Sequence, residues 1–330
     1  MKLLRLIFLF PLGLLYGLIL QTRNLFFKWG IYKQIKTSFP SISVGNLAMG
    51  GTGKTPTIKF LLEQHKEEHT TVISRGYGRE SSGFMEVTLD SKAIKTGDEP
   101  LEIKNAYPET QVFVCEKRKD ALKKITQTDL ILFDDLYQHQ WVKPNCNILL
   151  TTYENPFYKD FVLPAGNLRE FGFNKNRADL LVVTKCPLNL SLEKAKIIKK
   201  KCGVSYPVFF SGLEYGNTIW KKEVESAQDV LLLSSIAHAT AFKKEAMSRY
   251  NIVDEIKLKD HFTYTEKKVK EIIAVANKNR ARIVTTAKDM AKLNTFETLL
   301  KDTHLGYFDV RMSILFNEKE AFLKQIKNKI

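Results

Sequence analysis

The stretch SISVGNLAMGGTGKTPTI, Ser41 to Ile58, decides the fold. A short apolar strand runs into a glycine-rich bend that ends in Gly53, Lys54 and Thr55, and a helical pattern follows through Ile58, Phe60, Leu61 and Leu62. Strand, bend and helix in this order build a phosphate cradle. The glycines allow backbone N–H groups to crowd around phosphate oxygens, Lys54 reaches the β- and γ-phosphates, and the Thr55 hydroxyl is placed to hold a magnesium ion. Pro56 sits in the first helical turn, where its missing N–H would have had no partner anyway, and the helix aims its positive end at the anion. Gly50, Gly51, Thr52, Gly53, Lys54 and Thr55 are therefore the expected nucleotide-binding residues. One position is off pattern: a regular phosphate loop has glycine where this chain has Ala48.

A chain of 330 residues has room for about two domains, and its 44% hydrophobic content is that of a globular protein. Cys115, Cys146, Cys186 and Cys202 are scattered without a C-x-x-C pair, which argues for reduced thiols and against a disulfide framework or a zinc site. The formal charge of +15 calls for an anionic partner: nucleic acid, a membrane surface or a phosphorylated substrate. Residues 1–40 hold Lys2, Arg5, Arg23, Lys28, Lys33 and Lys36 and no acidic residue. Lysine runs at 194–201 and 319–329 read as solvated helix faces.

From Leu3 to Leu20 the only charge is Arg5, yet Pro11, Gly13 and Gly17 interrupt the apolar run, and a spanning helix needs about 20 apolar residues. No small-residue cleavage site follows it. Downstream, Leu25, Phe26, Phe27, Trp29 and Ile31 alternate with Arg23, Lys28 and Lys33. Bulky apolar residues beside basic ones suit a helix lying in the membrane plane. A core-packing helix and a true span are the competing readings.

The remaining pattern is α/β. Apolar strands are expected at 70–79, 111–115, 130–133, 147–152, 179–184, 231–235 and 282–286, with helical stretches between them. That implies a parallel sheet with helices on both faces and polar residues gathered at the carboxyl ends of the strands. The expected layout is an N-terminal segment 1–35, a phosphate-loop domain 36–150 and a smaller α/β domain 151–330, with the terminal helix free to pack back on the first domain. At the end of one apolar strand, Asp134 and Asp135 stand where an acid positions magnesium opposite a phosphate loop. Asp98 and Glu99 open a helix, where carboxylates serve either as caps or as reactive groups. Arg75, Arg79 and Arg118 have the fork geometry for phosphate. A lone pair such as Asp260-His261 is more often structural than catalytic. Val183-Thr184-Lys185-Cys186 imitates the T-K-x-D element by which GTPases read guanine, but Pro187 replaces the aspartate.

Taken together, these pieces resemble the tetraacyldisaccharide 4′-kinases, the lipid A 4′-kinases of the Gram-negative inner membrane. The likeness rests on the apolar-basic N-terminus with LLYG, on SVGNLAMGGTGKTP with the same departure at its first glycine, and on VISRGYGR and GDEP. It continues through the run from Asp134 to His139, LPAGNLRE at Leu163–Glu170, Ser235-Ile236-Ala237, Asp260-His261 with Tyr264-Thr265, and TTAKDMAKL at Thr285–Leu293. Residues 171–230 match weakly. The resemblance implies transfer of the γ-phosphate of ATP to the 4′-hydroxyl of a lipid A disaccharide 1-phosphate, with Mg²⁺. It implies a phosphate-loop α/β/α sandwich, a second, smaller α/β/α domain closing over nucleotide, and an N-terminal helix on the cytoplasmic side of the inner membrane. By motif position Asp98 resembles the general base, with His261 its partner from the second domain. Glu99, Asp134, Asp135, Gln138 and His139 resemble the magnesium and active-site polar set, and Arg118 a phosphate-contacting arginine. Leu136 and Tyr137 stand where the family usually has glycine and phenylalanine, Phe262 where it has a second histidine, and Ala287 where it has glutamate.

Two other classes compete. A switch or chaperone-like NTPase acting on a protein partner would need a base-reading carboxylate after Thr184-Lys185, which Pro187 denies. A nucleic-acid-binding ATPase has only net charge in its favour, with no recognised module in the chain, so no nucleic-acid partner is expected.

Overall fold

The computed structural model describes residues 2–222, 229–237 and 239–330, with side chains from residue 8 onward. The chain divides into two compact units. The larger comprises residues 1–75, 115–213 and 312–330, and the smaller residues 76–114 and 214–311. The expected boundary after residue 150 is therefore not where the packing divides the chain. Strand Cys146–Thr152 pairs with Ser41–Asn46 on one side and Leu180–Thr184 on the other, which holds the stretch beyond 150 within the phosphate-loop unit. The C-terminal helix Lys319–Lys327 also belongs to the larger unit, where Phe322 packs against Phe60 and Phe209.

The larger unit is built on a parallel sheet. Its strands lie in the order Thr70–Ser74, Leu130–Asp134, Ser41–Asn46, Cys146–Thr152, Leu180–Thr184 and the first part of Val208–Trp220. Strands Ser41–Asn46, Thr70–Ser74, Leu130–Asp134 and Leu180–Thr184 are buried along their whole length, as expected for a sheet covered on both faces. The phosphate-loop strand is central, directly beside the strand that ends in Asp134. Parallel pairing brings the carboxyl ends of these strands to one edge, and the loops that follow them assemble the polar residues there.

The smaller unit has its own parallel sheet, Asn251–Lys257, Asp229–Ser234, Arg282–Thr285 and Leu305–Ile314, with helices Thr240–Arg249, Glu266–Lys278 and Ala287–Leu293 between the strands. Leu231, Leu233, Ile272, Ile283 and Leu305 form one apolar core, and Val230, Leu232, Phe242, Val284 and Phe308 another, so successive residues of strand Asp229–Ser234 serve opposite faces. The same unit holds the segment 76–114, with helix Asp98–Ala106 and the antiparallel pair Met85–Glu86 and Gln111–Val114. Val208–Trp220 and Leu305–Ile314 are neighbouring strands, and each has residues in both units.

Helix Lys2–Lys28 is continuous through Pro11. Gly13 and Gly17 are not breaks but its contact line. A Cβ on Gly17 would lie 2.4 Å from the Phe171 ring, and one on Gly13 3.0 Å from the Val162 carbonyl oxygen. Glycine at both positions is what lets the helix approach this closely. Its far end is tied by polar bonds: Asn24 donates to Glu170 (2.8 Å), Gln140 donates to Asn24 (2.6 Å), and Phe27 is buried against Trp141. The helix thus has a docked end, yet Phe8, Leu12, Leu15, Leu18 and Ile19 remain exposed. Among the described residues no helix is long and apolar enough to cross a membrane.

Candidate active site

In the larger unit the phosphate loop takes the form its glycines require. Gly50 and Gly53 have φ of +99° and +90°, in the left-handed region that costs a residue with a Cβ about 1–2 kcal/mol. Helix Lys54–Gln64 begins at once, with Thr57 bonding back to the Gly53 carbonyl through its N–H (3.1 Å) and its hydroxyl (2.8 Å). Ala48 also finds its reason. It forms an antiparallel bridge with Leu168, flanked by Met49 N–H donating to Asn167 (2.8 Å) and Arg169 N–H donating to Leu47 (2.7 Å). Extended backbone paired to another segment has no need of glycine. The LPAGNLRE segment is thereby stitched to the rising side of the loop.

That stitch delivers Arg169, which sequence reasoning placed inside a motif without assigning it a role. Its guanidinium holds Asp135 with both arms, 2.8 and 2.9 Å, and also bonds the Asn46 carbonyl and side-chain oxygens. Lys54 lies 3.8 Å from the same carboxylate. Burial pushes the Asp135 carboxyl up, but the Lys54 ammonium and the Arg169 fork together hold it well below the usual carboxylate range. Asp135 is therefore charged, and with that fork closed both its oxygens are engaged. Asp134, one residue earlier at the strand end, is buried and accepts from the Ser74 hydroxyl (2.9 Å).

Arg118 is 3% exposed and donates to the carbonyls of Glu116 (3.0 Å) and Asp135 (2.6 Å). Burial draws it down to about 10 against the pull of Asp135. It supports the aspartate loop from behind, while Arg75, at the end of strand Thr70–Ser74, is exposed. Gln138 is turned to the Asn46 carbonyl (2.8 Å) and to Glu170 (3.0 Å), and Glu170 is paired with Arg177. Burial, then the nearby Arg118 and Arg75, lower His139 to about 4, so it is neutral at physiological pH. Tyr137, in the position where a phenylalanine was expected, donates its hydroxyl to the Asn174 carbonyl (2.7 Å) under the Arg177 guanidinium.

The smaller unit holds a second cluster around Asp98, in the first turn of helix Asp98–Ala106. The N-cap position is Gly97, which offers no side chain, and Asp98 follows it as the first helical residue. Its Oδ2 lies 3.0 Å from His261 Nδ1, 3.5 Å from Lys288 Nζ and 3.6 Å from Lys292 Nζ. Sequence reasoning expected the Asp–His pair to come from separate domains and to assemble on closure; instead both residues belong to one unit and are already bonded. His261 has φ +56°, a left-handed backbone fixed in part by its N–H donating to Asp260 (3.0 Å). Lys292 is anchored by Ser235 Oγ (2.7 Å) and Asp289 (3.2 Å), and Lys288 by Asp260 (3.4 Å).

Burial raises the Asp98 carboxyl, but the His261 hydrogen bond and the two ammoniums outweigh it and hold the group below its ordinary value. The Asp98 bond raises His261, against burial and Lys288. Glu99 is part of the same field: after burial, which lowers Lys288, its charge is the largest influence raising that lysine. The two lysines were quoted in the sequence only as members of a motif. The signal for them was i, i+4 spacing on one helix face behind a Thr286 cap.

Among the described residues no group of three or more His, Cys, Asp or Glu is gathered as a metal site. Magnesium on a triphosphate requires less, since phosphates and water supply most ligands. The Thr55 hydroxyl and the Asp134 carboxylate are hard oxygen donors of the correct class. Asp135 is engaged by Arg169, and Glu99 belongs to the Asp98 cluster.

A family profile described as LpxK, Tetraacyldisaccharide-1-P 4′-kinase, matches residues 5–330. The tetraacyldisaccharide 4′-kinase of Flavobacterium johnsoniae is 37% identical over 334 residues, covering 98% of this chain and 96% of its own. That of Cytophaga hutchinsonii is 35% identical over 342 residues, covering 98% and 95%. The "apo" form of LpxK from Aquifex aeolicus in complex with ATP superposes with a TM-score of 0.78 at 26% identity, over 97% of both chains.

Proposed function

The chain belongs to the tetraacyldisaccharide-1-P 4′-kinase family, and from that premise we propose how its residues divide the work. It is a kinase of lipid A biosynthesis that uses ATP. The substrate is a lipid A disaccharide 1-phosphate, and the γ-phosphoryl group passes to its 4′-hydroxyl.

Such a transfer depends mostly on positioning and on neutralising charge. Gly50 to Thr55 present N–H groups, Lys54 and the Thr55 hydroxyl to the triphosphate. Mg²⁺, when bound, would be held by Thr55 and Asp134 and would neutralise charge on the phosphates. Asp135 is paired with both Arg169 and Lys54 and so positions Lys54 at the phosphates. Asp98 accepts the proton of the attacking hydroxyl, and His261 orients it. The observation that carries this reading is the Asp98 carboxylate, largely buried yet held below its ordinary value, bonded to His261 at 3.0 Å and flanked by two lysines.

The N-terminal helix lies in the cytoplasmic leaflet of the inner membrane as a monotopic anchor. Its exposed Phe8, Leu12, Leu15, Leu18 and Ile19 and the absence of acidic residues in 1–40 support this placement. The switch or chaperone reading gains nothing from the geometry, because Lys185 is followed by no base-reading carboxylate.

The test is incubation of the purified full chain with labelled ATP and the disaccharide 1-phosphate in detergent micelles. Label in the lipid fraction is expected, and label released only as inorganic phosphate would sink the assignment.

A further inference from the structure

The Thr184-Lys185 dipeptide, set aside in the sequence as a broken guanine-reading element, ends strand Leu180–Thr184 at the edge where the phosphate loop emerges. Its backbone is held on both sides. The Thr184 hydroxyl donates to the Thr52 carbonyl (2.7 Å) and to Thr151 (3.2 Å), the Thr184 carbonyl accepts from Tyr153 (2.9 Å), and Cys186 N–H donates to Ser211 (2.9 Å). Between these ties Lys185 is forced to φ +56°, a conformation that suits glycine and costs any other residue. The side chain is carried across the loop, and its ammonium lies 3.7 Å from where a Cβ on Gly51 would stand.

The charges nearby are unequal. Lys54 has Asp135 at 3.8 Å, and Asp135 is shared with Arg169. Among the described residues no carboxylate reaches ion-pair distance of Lys185; burial lowers the lysine's affinity for its proton, and the field of Glu154 opposes this only in part. A partly buried cation over a phosphate loop, kept there at the expense of backbone strain and without a protein anion, lacks a counter-charge that a polyphosphate supplies.

We infer that Lys185 is a further nucleotide-binding residue, whose ammonium contacts phosphate oxygens of bound ATP as the second cation of the cradle beside Lys54. This rests on the kinase reading above and adds to it a positioning group outside the phosphate-loop motif. It also explains why lysine is present without the aspartate that would read guanine: the lysine serves the phosphates, and the base is left unread by this element.

The experiment compares Lys185→Met, which removes the charge and keeps the stem, with Lys185→Gly, which also relieves the backbone. Binding of ATP and of adenosine to the full chain in detergent is measured by calorimetry, alongside the melting temperature of the nucleotide-free protein. The expected result is about tenfold weaker ATP binding for both variants. Adenosine binding should be unchanged, and the melting temperature of Lys185→Gly should be equal to or above wild type. ATP affinity within about twofold of wild type for Lys185→Met would overturn the assignment, as would equal losses for ATP and adenosine. Loss of affinity that tracks a lowered melting temperature in both variants would make Lys185 structural and also overturn it. Failure of the wild-type chain to bind ATP would instead strike the underlying kinase reading.

Discussion

Replacing Asp98 with asparagine keeps the shape of the side chain and removes one negative charge from a site shared with a histidine and two lysines. His261 at 3.0 Å, Lys288 at 3.5 Å and Lys292 at 3.6 Å all face that carboxylate. Orphaning a buried charge usually costs about 3–5 kcal/mol. Here neither lysine is orphaned: Lys292 keeps Asp289 at 3.2 Å, and Lys288 keeps Asp260 at 3.4 Å. The loss of stability should therefore fall to about 1–2 kcal/mol, or a Tm lower by roughly 1–3 °C for a chain of this size. Turnover should respond far more strongly. A positioned general base contributes about 10²–10⁴-fold, so kcat should fall by that factor. The phosphate loop is untouched, so ATP affinity should stay within about threefold. His261 reports the same change independently: without the Asp98 bond, which is the main cause of its raised pKa, burial and Lys288 dominate and its titration moves down. Stopped-assay kinetics, calorimetry with ATP and an NMR titration of the His261 ring check the three parts. ATP affinity falling in step with kcat would refute this role, because Asp98 would then hold nucleotide or metal rather than a proton.

Arg169→Met should free Asp135 to draw Lys54 away from the phosphates and weaken ATP binding by about tenfold. Arg169→Lys should restore little of it, since a single ammonium cannot close both oxygens; rescue by lysine would contradict the bidentate role. The Asp98–His261 pair also sets a pH signature. His261 is raised from 6.5, so its contribution is full below that pH and is lost as pH rises through its folded value; Asp98 is lowered from 3.8, so its contribution is full above that pH and is lost as pH falls through its folded value. The Tm difference between wild type and Asp98→Asn should thus peak between about pH 4 and 6.5 and shrink on both sides; a difference that grows toward pH 9 refutes the pairing. Leu15→Glu with Ile19→Glu, at positions 58% and 62% exposed, should release the chain from anionic vesicles without lowering Tm in detergent. Vesicle binding unchanged from wild type would place the anchor elsewhere.

The sequence showed most clearly what is local in the chain. Strand, glycine bend and helix at 41–58 carry their own periodicity and punctuation, and the apolar strands at 130–134, 146–152 and 180–184 are continuous because both faces of their sheet are covered. Asn251–Lys257 was not legible: it pairs on one side only, at the edge of its sheet, and its half-exposed, charge-bearing pattern has no apolar run. The site was legible as a list of residues but not as a set of pairings. Arg169 meets Asp135 across 34 positions, Thr184 meets Thr52 across 132, and His261 meets Asp98 across 163. No window of sequence holds both partners of such a pair. For the same reason the division of the chain was misplaced, since segments 76–114 and 214–311 form one unit despite the long interval between them. Ala48 shows the reverse case, an apparent defect in a motif that its bridge to Leu168 makes an ordinary extended residue.

This chain places a phosphoryl group on the 4′-hydroxyl of a lipid A disaccharide 1-phosphate. Phosphorus–proton correlation NMR of the lipid recovered after reaction with ATP tests it most directly. A new phosphomonoester coupled to the sugar proton at the 4′ carbon is expected, made by wild type and nearly abolished in Asp98→Asn. A new phosphoester on any other carbon, or only inorganic phosphate beside unchanged lipid, would contradict it.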